Sequence, residues 1–191
     1  MENRLTPEPS VFRFGRNTLA VLGRIELAAT VLSIMVICGL TGASIILRYF
    51  FGASLLWGEE VSLLLMKVMV FAGAAAVYKG RAYIAIDFVF RAFGSRGRYA
   101  LSIVAWIAAA GFAGVIVYEG VLLYPTQIHT RTYLLELPKF YFTLPVIYGA
   151  ASIVLTSAYY AALLAFRLRA GDDFTETDDA LTVLPNLVDR Q

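Results

Sequence analysis

The sequence predicts an all-α integral membrane protein with four transmembrane helices, both termini cytoplasmic, and short interfacial amphipathic segments. Three observations carry that reading. Hydrophobic residues make up 59% of the 191 and charged residues 16%, too little charge to cover the surface of a soluble domain of this size. The apolar residues come in blocks long enough to cross a bilayer, which takes about 20 helical residues. Charges, glycines and prolines gather between those blocks. The expected layout is a partly interfacial segment at 1–26, a four-helix domain at 27–168 with spans near 27–47, 57–78, 99–124 and 140–166, and an acidic tail at 169–191.

Residues 1–26 are polar and basic, with Arg4, Arg13, Arg16 and Arg24. Pro7 and Pro9 point to a disordered start, and the apolar residues among the arginines from Phe12 to Ile25 to a short interfacial helix. Leu27–Leu47 follows with no charge. A cleavable leader would have a shorter apolar core and a small-residue cleavage site nearer the start, so the expectation is an uncleaved first span.

The connection from Arg48 to Glu60 concentrates charge, rings and turn residues between two apolar runs. Gly52, Ser54 and Gly58 interrupt the helical pattern, and Tyr49 and Trp57 suit a membrane–water boundary. Trp57 is either an interfacial anchor or a contact for a partner. Glu59 and Glu60 favour capping the second helix, where the dipole welcomes negative charge. Ion pairs to Arg48 or a partner, and ion coupling, are the other readings. Lys67 lies roughly 10 Å inside Glu60 at about 1.5 Å per residue, too deep to snorkel easily. It needs a carboxylate, carbonyls or a wet cavity. A contact between helices or subunits is favoured over a substrate or ion contact.

Lys79 and Arg81 end the second span. In residues 82–94, Asp87 and Arg91 stand four apart in the favourable acid-first order. Tyr83, Ile86, Phe90 and Phe93 share one helical face, the pattern of a segment lying on the membrane surface. The third span starts near Tyr99 and is stopped by Pro125. The last apolar run, Phe140–Phe166, is longer than one crossing requires and contains Pro145, so it predicts tilt, a kink or a later start. Asp172, Asp173, Glu176, Asp178 and Asp179 make the tail acidic and disordered.

Orientation follows from Lys and Arg in the short loops. Arg4, Arg13, Arg16 and Arg24, then Lys79, Arg81, Arg91, Arg96 and Arg98, then Arg167, Arg169 and Arg190 fall on one side. Arg48, Arg131 and Lys139 fall on the other. Both termini are therefore expected in the cytoplasm, and the 48–60 and 119–139 connections outside.

Several function classes drop out. A net charge of +2 without basic clusters interleaved with aromatics gives no nucleic-acid surface. A lone Cys38 within an apolar run forms neither an intrachain disulfide nor a thiolate metal site. A lone His129 in a polar loop, expected to be solvent-exposed, cannot make a bis-histidine haem. No nucleophile elbow, phosphate loop or zinc spacing occurs, so no enzyme activity and no cofactor are expected. Gly39 with Ala43, Ala109 with Ala113, and Gly149 to Ser152 offer small surfaces for close helix contact.

The order Arg48-Tyr49, Trp57, Glu59-Glu60, Gly73, Lys79, Ile84 and Asp87 resembles the DctQ-like small permease subunit of TRAP transporters (tripartite ATP-independent periplasmic transporters). So does the Leu137-Pro138 to Leu144-Pro145 stretch that opens the last of four spans. The resemblance covers roughly residues 20–168. It departs at Tyr83, where the family often has histidine, and at Lys67, where an apolar residue is expected. The resemblance implies a multi-pass protein of the bacterial inner membrane and a scaffold for a large permease subunit. That subunit would hold the substrate and sodium sites and move substrate by an elevator motion. A periplasmic solute-binding protein would deliver an organic acid anion, and membrane lipids would surround the complex. Arg48, Tyr49, Trp57, Glu59, Glu60, Lys67 and Asp87 become subunit-interface or structural candidates. The alternatives are a membrane-anchor subunit of an oxidoreductase and a small homo-oligomeric channel or transporter.

Overall fold

The computed structural model describes residues 10–53, 55–80 and 95–170. Asp87 with the expected surface segment 82–94, residues 1–9 and the acidic residues of the tail lie outside the described residues. Among the described residues, five α-helices follow one another: α1 Ser10–Phe51, α2 Leu56–Lys79, α3 Ser95–Leu122, α4 Tyr124–Gln127 and α5 Leu144–Ala170, with a 3-10 turn at Lys139–Phe142 before α5. Four stretches are long and apolar enough to cross a membrane: Phe14–Phe51, Leu56–Lys79, Ile103–Leu122 and Leu144–Phe166.

The helix bounds follow from local chemistry. α1 is one continuous helix, where the sequence pattern suggested a surface helix followed by a separate span. Its glycines are isolated among good helix formers and it contains no proline, so nothing interrupts the hydrogen-bond ladder. Gly52 ends it at φ +62°, the left-handed conformation that glycine adopts without steric cost, and the Ala53 amide reaches back to the Leu47 carbonyl at 3.2 Å. α3 stops at Leu122, and Pro125 sits in the first turn of the short α4, where its missing N–H costs nothing. The same rule resolves the last run: α5 begins at Leu144, which puts Pro145 in its first turn rather than at a kink.

Side chains are distributed inside out relative to a soluble protein. Ala72, Ala75, Ala76, Ala113 and Ala150 are buried, whereas Leu32, Met35, Leu63, Met66, Ile107 and Phe112 are exposed. In water such a surface would aggregate. In lipid it is stable, because small residues let helices approach and large apolar ones face hydrocarbon. Three hydroxyls of α1 are satisfied within their own helix: Thr30 donates to the Glu26 carbonyl, Ser33 to Ala29 and Thr41 to Ile37, each at 2.8 Å. Hydrocarbon leaves a polar group no other partner.

Contacts divide the chain into two units. The first comprises residues 1–24, 76–113 and 152–191. Its described core is aromatic. The Trp106 ring stacks on Tyr160 with centroids 4.7 Å apart and meets the edge of Tyr78 at 5.1 Å, with Leu19, Leu163 and Leu164 around them. Tyr78 Oη and Ser157 Oγ share a hydrogen bond of 2.6 Å. The ammonium of the fully buried Lys79 donates to Ser152 Oγ at 2.5 Å.

The second unit comprises residues 25–75 and 114–151. Here backbones meet closely. A Cβ added at Gly149 would lie 2.7 Å from the Phe71 carbonyl oxygen, so only glycine allows α5 and α2 this approach. Gly73 faces the Thr30 side chain and Gly120 faces Ile147 in the same way, though against side chains that can yield. Gly39 and Gly42 have open space around them among the described residues. The buried carboxyl of Glu26 accepts a long hydrogen bond, 3.4 Å, from Tyr148 Oη.

Candidate functional site

The second unit carries the candidate site where α1 gives way to α2 and where α3 connects to α5. α1 ends in three exposed aromatics, Tyr49, Phe50 and Phe51, and α2 opens with Leu56 and Trp57, both about half exposed. Trp57 is thus a surface residue rather than part of a core. Arg48 lies in the last turn of α1, where a cation complements the helix dipole. Its side chain is exposed, and among the described residues no ion pair joins it to Glu59 or Glu60.

The two glutamates part company. Glu59 stands in the first turn of α2, is exposed, and lines a groove of about 500 Å³ with Ile34, Ile37, Cys38, Leu63 and Met66. Glu60 instead binds the 128–139 connection. Its Oε1 accepts the Leu134 N–H and its Oε2 the Leu135 N–H, each at 3.0 Å. A carboxylate with both oxygens engaged by successive amides holds a backbone in place more strongly than a neutral acceptor would. Of the readings open for the glutamates, Glu60 takes neither the favoured helix cap nor an ion pair to Arg48 but this loop contact. The reason is that backbone N–H groups without a helix or strand partner need an acceptor.

The loop that Glu60 grips is itself ordered. Arg131 and Pro138 form an antiparallel bridge, with the Lys139 amide on the Thr130 carbonyl at 2.8 Å and the Thr132 amide on the Leu137 carbonyl at 2.9 Å. Leu137 N–H donates to Thr132 Oγ1 and Arg131 Nη1 to the Glu136 carbonyl. Glu136 takes φ +49° to turn the chain. Below the bridge, Thr143 Oγ1 donates to Gln127 Oε1, and the Tyr124 and Phe140 rings meet edge to face at 4.7 Å. The tip holds Tyr133, 96% exposed, and Leu134 beside it. His129 is exposed.

Lys67 is half-buried with Nζ 5.6 Å from the centroid of the Phe142 ring. The sequence called for a carboxylate, carbonyls or water at this depth. The structure places the Phe142 ring near it, and an aromatic face attracts a cation through its quadrupole. Sequence reasoning also missed Glu26, placed in the water-side segment but buried, and Trp106, the centre of the first unit's core. Lys79 entered as a marker of the helix end, a charge in the orientation count and part of the family pattern, yet its side chain is buried. A basic residue closing a long apolar run gives no local sign of whether it turns to water or inward.

Among the described residues, no three of His, Cys, Asp and Glu come together as metal ligands would. The arrangement consists of exposed rings, an apolar groove with one acid in its lining, and a clamped loop. These are binding features, and none of them is a nucleophile with a base beside it.

A search of curated proteins gave no match. Residues 37–168 match the family described as "Tripartite ATP-independent periplasmic transporters, DctQ component". That match runs from within the C-terminal half of α1 to the last turn of α5. The chain is a multi-pass membrane protein and belongs to this family of small permease components of TRAP transporters.

Proposed function

We propose that this chain is the scaffold subunit of a sodium-coupled importer of an organic acid anion in the bacterial inner membrane. It holds a large permease subunit, which carries the substrate and sodium sites, and it works with a periplasmic solute-binding protein that delivers the anion. The observation that carries this reading is the outward-facing apolar surface of α1 and α2, with its groove and the exposed stretch from Arg48 to Trp57. A subunit that turns large side chains outward and engages its few polar groups within itself is built for lateral contact. It does not line an anion pathway, which would need a chain of polar groups through the spans. Membership in a transporter-component family favours this reading over an oxidoreductase anchor. Arg48, Tyr49, Trp57 and Glu59 are proposed as contacts to the large subunit, Asp87 as an interface or structural residue, and Lys67 as internal support through Phe142.

The same reading places both termini in the cytoplasm, with 1–26 and 169–191 as cytoplasmic segments, and the 48–60 and 119–139 connections in the periplasm. The support is the asymmetry of Lys and Arg between the two sets of loops. With Cys38 replaced by Ala, a cysteine at Thr130 should react with an impermeant thiol reagent added to intact cells. A cysteine at Ser95 should react only after the membrane is opened. The opposite pattern would overturn the orientation.

A further inference from the structure

We infer that the tip of the 128–138 loop, Tyr133 with Leu134, is a pre-built docking point for a water-soluble protein that offers an apolar pocket with an acidic rim. On the scaffold reading above, on which this inference rests, that protein is the soluble substrate-capturing partner. Four observations lead there. Tyr133 is 96% exposed, the most exposed large apolar side chain among the described residues, and Leu134 beside it is 48% exposed. Its backbone is nevertheless fixed, because the next two amides are held by the two oxygens of Glu60 and the stem is closed by the Arg131–Pro138 bridge. A ring displayed on an immobilised backbone loses little entropy when it binds, and Tyr is a favoured anchor at the centre of interfaces.

The place of the loop selects the occupant. It lies beyond the end of the third span at Leu122 and before the start of the fourth at Leu144. Irregular backbone of this kind is not left facing hydrocarbon, where its polar groups would go unmet. The tip therefore meets water or a protein in water. Arg131 and Lys139 flank it, both exposed, with Glu136 as the loop's one anion. The charge of Glu60 is already committed to the two amides. The balance is cationic, so the complementary rim is acidic, and such complementarity sets register and speeds encounter.

The test uses the complete complex of this chain with its large permease subunit, reconstituted in lipid nanodiscs. Binding of the substrate-loaded soluble binding protein is read by biolayer interferometry. Tyr133→Ala should weaken that binding about tenfold or more, as loss of an interface anchor does. Tyr133→Phe, which keeps the ring, should stay within about threefold. Glu60→Gln should weaken binding as well, chiefly through faster dissociation and a lower yield of productive complex, because the loop loses its charged clamp. Recovery of the large subunit with each Tyr133 variant should equal the wild type. Unchanged affinity for the soluble protein in Tyr133→Ala would overturn the inference. So would reduced recovery of the large subunit with that variant, since the tip would then belong to the membrane interface. Failure of the wild-type chain to bring down the large subunit at all would sink the scaffold reading itself, an outcome separable from either of these.

Discussion

Cells that lack this chain but keep the large permease and the soluble binding protein are expected to lose uptake of the transported anion, down to the background of cells with no transporter. The soluble protein should still bind its ligand with unchanged affinity. On the proposed scaffold role, the exposed apolar surface of α1 and α2, with its groove of about 500 Å³, is the face against which the large permease subunit would dock. A permease that moves part of itself through the bilayer needs a fixed frame to move against. On that role, removing the frame would expose the permease's docking face to lipid and leave it without lateral support. Radiolabelled substrate uptake in a deletion strain, with immunoblots showing the large subunit at normal abundance, checks this. Normal uptake at normal abundance would remove the scaffold role.

The second large effect is on stability and lies in the first unit. Trp106→Ala should cost about 3–5 kcal/mol, the range for emptying a buried Trp site. Trp106 is 6% exposed, stacks on Tyr160 and meets Tyr78 edge to face, so its removal leaves a cavity beside those two rings. Trp106→Phe keeps a ring in contact with Tyr160 and should lose markedly less. Trp57→Ala serves as contrast and should cost much less, since Trp57 is 46% exposed. Unfolding in detergent micelles, followed by tryptophan fluorescence or circular dichroism, measures all three. Equal stability of Trp106→Ala and wild type would contradict the core described for this unit.

These two tryptophans also show what the sequence made legible. Four spans could be read from block length and charge alone, because a membrane imposes its thickness on each run independently of the others. The end of α1 near Gly52 and the start of α2 near Trp57 were visible for the same reason: turn residues and boundary aromatics are local signals. Which tryptophan is buried is not local. Trp57 drew notice because it stands beside charges, while Trp106 sits in an unbroken apolar run that offers no hint of the rings brought to it by α2 and α5. The acids divide in the same way. That Glu59 and Glu60 begin a helix was readable from their position, but the assignment of Glu60 to the amides of Leu134 and Leu135 depends on a contact across more than seventy residues. Likewise the depth of Lys67 followed from counting residues, and its aromatic partner Phe142 did not. Glu26 stands at the end of the segment 1–26, read from the sequence as polar and basic. It is buried because α1 continues through it without a break, which turns that position toward the Tyr148 side chain.

The central claim is that α1 and α2 present a docking face for the large permease subunit, and co-isolation tests it most directly. Affinity-tagged chain, extracted in mild detergent, should bring down the large subunit in stoichiometric yield. Leu63→Trp and Met66→Trp, which fill the groove beside Glu59, should reduce that yield several-fold, as overfilled interfaces do. Val104→Trp, on an exposed position of α3, should leave it unchanged. If the groove-filling variants recover the large subunit as well as wild type does, or if no variant including wild type recovers it, this face is not where the transporter is held together.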